Sequence, residues 1–274
     1  MSTYIEYKLP FLFNSSPAAG ATNIAANGSS FEVLLDRPIV IPREAKNCFI
    51  TVQNSTAWWN IYNIKLGIND KLDVEYDDGM IVVNFTITVE PGLYDLEHLS
   101  TEIGRELLAN SVPQDLFVLV PDQATQKTVI QFNYSGVQLD TNIVQNFAEL
   151  MGFDERLIPL GAPTTGVQYE KSDGIANFNT IDYLLIHSDL VSRGMRINDK
   201  YQNVISQLLI NVEPGSQITD SPFNPPEIPA NELIGEKRKN LSFWITDQNN
   251  ARVDTQGELF SVRLIIHYYL KIDD

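Results

Sequence analysis

The stretch ELFSVRLIIHYYLKI, residues 258–272, alternates with a period of two. Phe260, Val262, Leu264, Ile266, Tyr268 and Leu270 fall on one side of an extended chain. Leu259, Ser261, Arg263, Ile265, His267 and Tyr269 fall on the other, because successive side chains of a strand point to opposite faces. One face is almost wholly apolar; the other carries Arg263 and His267. A long strand with a single apolar face needs a second layer to cover it, the signature of an antiparallel sandwich.

Most of the chain repeats that theme. SSFEVLLDRPIVIP (residues 29–42) reads as a strand that ends at a proline, and NCFITVQNSTAWWNI (47–61) as a strand rich in β-branched and aromatic residues. Residues 70–92 read as two strands joined at Asp77-Asp78-Gly79, since Asp-Gly between apolar runs marks a hairpin. Further strands are expected in DLFVLVPD, KTVIQFNYSG, TIDYLLIHSDL and NVISQLLINVEPGS. KNLSFWITDQ is expected to turn through NNARVDTQG and form a terminal hairpin with residues 258–272.

Helical spacing is rare. In PGLYDLEHLSTEIGRELLAN (91–110), Leu96, Leu99, Ile103 and Leu107 share one face, with Asp95 as N-cap and Asn110 and Pro113 as stops. That predicts an amphipathic helix laid on a sheet. A second, shorter helix is expected over 141–154, with Ile143, Val144, Phe147, Leu150 and Met151 inward and Gly152 at its end. A Pro/Gly-rich loop is expected over 157–179, and a Pro-rich extended crossover follows residue 217. The fold class is therefore all-β: a jelly-roll β-sandwich with two short helices in connections, about eight to ten strands in all.

The first 30 residues divide in two. YIEYKLPFLF is apolar and broken by Pro10; NSSPAAGATNIAANGSS is small, polar and aperiodic. The expected organisation is a flexible N-terminal arm over 1–30 and a single domain over 31–274. Two readings of the arm stand: its apolar tip docks on another molecule, or it packs back on its own domain.

Composition narrows the function classes. Nineteen basic against 35 acidic residues give a formal charge of −16. Such a surface repels phosphate backbones, and the nearest basic cluster, EKRK at 236–239, reads as a solvated turn. No direct nucleic-acid contact is expected. Nothing approaches the roughly 20 apolar residues of a membrane span, and no secretory leader is visible in MSTYIEYKLPFLFNSS. The one cysteine, Cys48, sits in an apolar strand and reads as a small buried hydrophobe. His98, His187 and His267 lie in separate segments and none is placed to activate it. The acids Asp73, Glu75, Asp77 and Asp78 lack the spacing of a calcium loop. There is no phosphate-binding P-loop, nucleophile elbow, HExxH, CxxC or dinucleotide fingerprint. No catalytic, metal or cofactor residues are assigned, and the expectation is a chain that is not an enzyme.

Four stretches carry a resemblance: FEVLLDRPIVIPREAKNCFITVQNSTAWWNI, PGLYDLEHLSTEIGRELL, NFAELMGFD and LSFWITDQNNARVDTQGELFSVRLII. In sequence and order they resemble the penton (vertex, minor capsid) proteins of Polinton/Maverick elements, adintoviruses and virophages. The resemblance covers about residues 30–270, and its motifs are short and chemically unspecific. It implies a single jelly-roll subunit that forms homo-pentamers at the five-fold vertices of an icosahedral double-stranded DNA particle, beside a major capsid protein. It also implies a virion location after assembly in the host cell, with a spike or fibre as a further partner. The helix at 91–110 would then shield a sheet face or edge. The candidate partner-binding surface is Tyr4, Tyr7, Phe11, Phe13, Trp58, Trp59 and Tyr169. Trp58 and Trp59, being adjacent, are expected on opposite faces, one in the core. Other readings are a small double jelly-roll major capsid protein and a receptor- or carbohydrate-binding sandwich such as a spike head. In the latter, Trp58, Trp59, Tyr62 and Tyr169 would stack on sugar.

Overall fold

The computed structural model describes residues 3–272. The chain divides into two compact units, one of residues 1–61 and 181–274, the other of residues 62–180. The first unit opens with β1 (Tyr4–Asn14), β2 (Ala21–Thr22), β3 (Ser30–Val40) and β4 (Lys46–Trp58). The chain then builds the second unit from β5 (Lys71–Asp77), β6 (Val82–Thr88), α1 (Leu96–Ala109), β7 (Phe117–Asp122), β8 (Lys127–Phe132), β9 (Val137–Asp140), β10 (Leu157–Ile158) and β11 (Gln168–Lys171). It returns to the first unit through β12 (Tyr183–Ser188), β13 (Arg196–Ile197), β14 (Lys200–Tyr201) and β15 (Val204–Leu209). The last strands are β16 (Gln217–Asp220), β17 (Glu227–Pro229), β18 (Lys237–Thr246) and β19 (Ser261–Lys271).

In the first unit one sheet runs β1-β19-β4-β16, with β17 also on β4, and the other runs β15-β12-β18-β3-β2. Every pairing in them is antiparallel. Each of the two C-terminal strands sits between earlier ones: β19 between β1 and β4, β18 between β3 and β12. That interleaving of first and last strands across two facing sheets is a jelly roll. Aromatic rings fasten the layers together. Phe13 of β1 lies 4.8 Å from Phe243 of β18, and Phe31 of β3 lies 5.1 Å from Phe260. On β19, Val262, Leu264 and Ile266 are fully buried and Arg263 is exposed, which is the predicted face assignment.

The N-terminal segment departs from the expectation of an arm. Tyr4–Asn14 pairs with β19 residue for residue, from Tyr4 opposite Lys271 to Asn14 opposite Ser261. Its apolar tip therefore packs back on its own unit, as the first strand of the jelly roll. The expected terminal hairpin is also corrected. β18 and β19 lie in different sheets, so residues 247–260 cross from one layer to the other instead of turning within one. EKRK is no turn either: Lys237–Lys239 open β18.

The second unit is a smaller sandwich of two antiparallel sheets, β10-β9-β5-β6 and β11-β8-β7. Here β5–β6 and β7–β8 are sequential hairpins. β9 then returns to pair with β5, and β11 with β8, a strand order that differs from that of the first unit. The turn at Asp77-Asp78-Gly79 forms as predicted: Gly79 takes φ +86°, and Asp78 Oδ1 accepts from Met80 N (2.7 Å) and Ile81 N (2.8 Å). The helix also forms as predicted. Asp95 Oδ1 accepts from His98 N at 2.7 Å, and Leu99, Ile103 and Leu107 join a core with Phe117, Phe132 and Phe147.

The second expected helix shrinks to one 3₁₀ turn, Ala148–Met151, ended by Gly152 at φ +81°. Gln145 takes φ +78°, which breaks any helix, and Asn146 Oδ1 accepts from Ala148 N at 3.0 Å. Val144, assigned inward by spacing, is 86 % exposed. The loop expected over 157–179 contributes two short strands, β10 on β9 and β11 on β8.

Candidate functional site

Two of the groups that most often carry chemistry, Cys48 and His187, are buried. Cys48 is fully buried on β4, and its thiol is pushed up to about 12, by burial first and then by the Glu232 carboxylate. A thiol that stays protonated is no nucleophile at neutral pH. His187 on β12 is buried, stacks on Trp244 at 5.2 Å and lies 2.8 Å from Thr246 Oγ1. Burial, then the Arg252 charge, push it down to about 4, so the ring is neutral. His98 is exposed beside Asp95, its N-cap. Among the described residues no three His, Cys, Asp or Glu side chains come together as a metal site, and no helix is long and apolar enough to cross a membrane.

His267 corrects a simpler expectation. It lies on the polar face of β19 yet is only 4 % exposed. Nδ1 stands 3.0 Å from Glu6 Oε1 on β1, the ring centroid is 5.5 Å from that of Phe49 on β4, and Glu227 Oε1 of β17 is 4.0 Å from Nε2. Lys8 and, after it, His267 hold the Glu6 carboxyl below the usual carboxylate range. The cluster ties the outer face of β1 to the sheet.

The N-terminal half of β1 leaves aromatic and aliphatic side chains exposed. Ile5, Tyr7, Leu9, Phe11 and Phe13 share its core-facing side, and the cover over that side thins toward the N-terminus. Phe13 is 4 % exposed, Tyr7 43 % and Ile5 45 %. Phe11 stacks on Phe13 and Tyr7 on Tyr268, each at 5.4 Å. Tyr4 is on the opposite side, with Lys46 Nζ 5.3 Å from its ring centroid. The result is an aromatic shelf that continues the core beyond its edge.

The expected partner surface is therefore split. Tyr4, Tyr7 and Phe11 gather on β1. Phe13 and Trp59 are buried, Phe13 on the inward side of β1 and Trp59 just past the end of β4. Trp58, 36 % exposed at the end of β4, points away from Trp59 as expected. Tyr169, exposed on β11, and Tyr62 belong to the second unit. Ile5 was missed. Its signal is the period of two running back from Phe13, opposite Leu270.

No family model matches the sequence, and no curated protein matches it. Among solved structures the chain is similar to a crystal structure of a selenomethionine-labelled mavirus penton protein. The two are 14 % identical, with a TM-score of 0.46, over 97 % of this chain and 100 % of that one.

Proposed function

We infer that the chain is a structural capsid subunit of the penton type, assembling as homo-pentamers at the five-fold vertices of an icosahedral double-stranded DNA particle. The observation that carries this reading is the strand order of the first unit. A jelly roll whose first strand is locked beside its last is an architecture recurrent in viral capsids. The four sequence stretches that resemble penton proteins add to it. Two of them supply strands of that jelly roll, and the other two supply α1 and the 3₁₀ turn. A capsid subunit works through its surface, which agrees with the neutral His187 and the protonated Cys48. A charge of −16 suits protein neighbours, including a major capsid protein, better than a genome. The shelf of Ile5, Tyr7, Phe11 and Tyr268, with Tyr4 on the other side of β1, is the first candidate for the subunit contact; Trp58 and Tyr169 are the next. The virion is the expected location.

Native mass across a concentration series tests the reading. Five copies of the 30.9 kDa chain are expected. Trimers would favour a spike or a major capsid protein, and a monomer at every attainable concentration would count against a self-assembling vertex.

A further inference from the structure

β6 is the outer strand of its sheet, and it lacks the usual defences of a sheet edge. Residues 80–89, MIVVNFTITV, contain no charge and no proline. Met80 is 92 % exposed, Ile81 64 % and Val82 53 %. Val89 N donates to Asp70 O at 2.8 Å, and Asp78 N to Ile81 O at 3.4 Å. With the β5–β6 register, those bonds give β5 the odd-numbered residues of β6. The N–H and C=O groups of Val82, Asn84, Thr86 and Thr88 therefore point outward. Among the described residues no strand pairs with that side. The corresponding edge of the other sheet is closed: Ser100 Oγ of α1 accepts from Leu119 N of β7 at 3.0 Å.

The outer face beside this edge is acidic. Asp73 and Glu75 of β5 stand opposite Thr86 and Asn84 of β6, and Asp140 of β9 stands opposite Asp73. These side chains line one open groove with Gln138 and Leu157, and no lysine or arginine lines it. A second copy of the chain would bring the same acids and another formal charge of −16. Charge complementarity calls instead for a cationic partner.

We propose that β6 is a docking edge for an extended segment of another polypeptide, which adds as a strand with basic side chains toward Asp73 and Glu75 of the neighbouring β5 and apolar side chains beside Ile81 and Val83. Main-chain pairing supplies affinity and the acidic face supplies selection. The inference concerns the second unit and stands apart from the vertex reading.

The test uses the full chain and two labelled peptides of about eight residues, a strand's length. One alternates Lys with Val, the other Glu with Val. Fluorescence anisotropy should show the Lys/Val peptide binding about tenfold or more tightly than its Glu/Val counterpart, and weakening as salt is raised. Amide exchange at Val82, Asn84 and Thr86 should slow in the complex. Asn84→Pro removes only an outward N–H, a change edge strands tolerate, and should cut binding about tenfold with the melt unchanged. If that variant fails to fold, Val82→Lys serves, since a charge on an edge blocks strand addition. Equal binding of the two peptides, or undiminished binding by a folded edge variant, would overturn the proposal. So would a self-dimer abolished by Val82→Lys, because the occupant would then be a second copy.

Discussion

β1 and β6 are both outer strands, and they are built in opposite ways. β1 carries Glu6, Lys8 and Pro10, with Glu6 bound to Lys8 at 3.0 Å and to the buried His267. It also drives Phe13 into the jelly-roll core. Charges and a proline are standard means of discouraging a neighbouring strand, so the edge of β1 is closed to addition while its side chains stay engaged in the fold. β6 has no such residues, and its tip side chains reach solvent. Sequence chemistry, more than position in a sheet, separates an edge that finishes a layer from one left ready to extend it.

Substitutions around the two strands should separate these roles sharply. The largest effect is expected beside β1. Leu264→Asp places a charge at a fully buried position of β19 and should abolish cooperative melting of the first unit, at a cost above about 4 kcal/mol. An unchanged thermal melt would refute the face assignment. Phe13→Ala should cost about 3–5 kcal/mol in denaturant unfolding, because it opens a cavity between the sheets. A loss near zero would restore the picture of a free arm.

The same unit should respond to acid through His187, whose folded pKa is depressed to about 4 from 6.5. The unfolded chain takes up this proton first. Its contribution is therefore full above pH 6.5, declines as pH falls toward about 4, and changes no further below that. His187→Gln should flatten that part of the stability–pH curve. The smallest effect is expected on β6, where Val82→Lys should shift stability by no more than about 0.5 kcal/mol. A large loss there would mean that the fold depends on β6 as heavily as on β1.

Features written in local chemistry were legible in the sequence. α1 could be read from Asp95 and the Leu99/Ile103/Leu107 spacing, and the β5–β6 hairpin from Asp78-Gly79, because caps and turns form between neighbours in the chain. The face of β19 could be read because its period has no competing explanation. Partner choice was not legible. The chain between Thr246 and Ser261 is long enough either to turn back or to cross to the other sheet, and nothing in it tells which. For β1 the sequence leaves two readings, an arm or a strand packed back on its own domain, because the small polar stretch after it gives no period and Pro10 interrupts its own; that proline faces an unpaired edge. Only half of the candidate surface could be foreseen for the same reason. The sequence marks Tyr4, Tyr7 and Phe11 as aromatic, but the exposure of Tyr7 and the burial of Phe13 depend on how far β19 and β18 extend beneath them.

The placing of β18 and β19 as inner strands bears on how the molecule is made. A ribosome delivers the chain from the N-terminus, so β1 and β4 emerge long before the strand that joins them, and β3 and β12 wait likewise for β18. The continuous segment 62–180 has all its strands in hand when residue 180 is out, and it can fold while the remainder is still being translated. The jelly roll closes only after Ser261–Lys271 has been released, a slow closure through distant contacts. Translation that stops short of the last strand would leave segment 62–180 folded and flanked by unpaired strands, so the closed jelly roll forms only once that strand has been made.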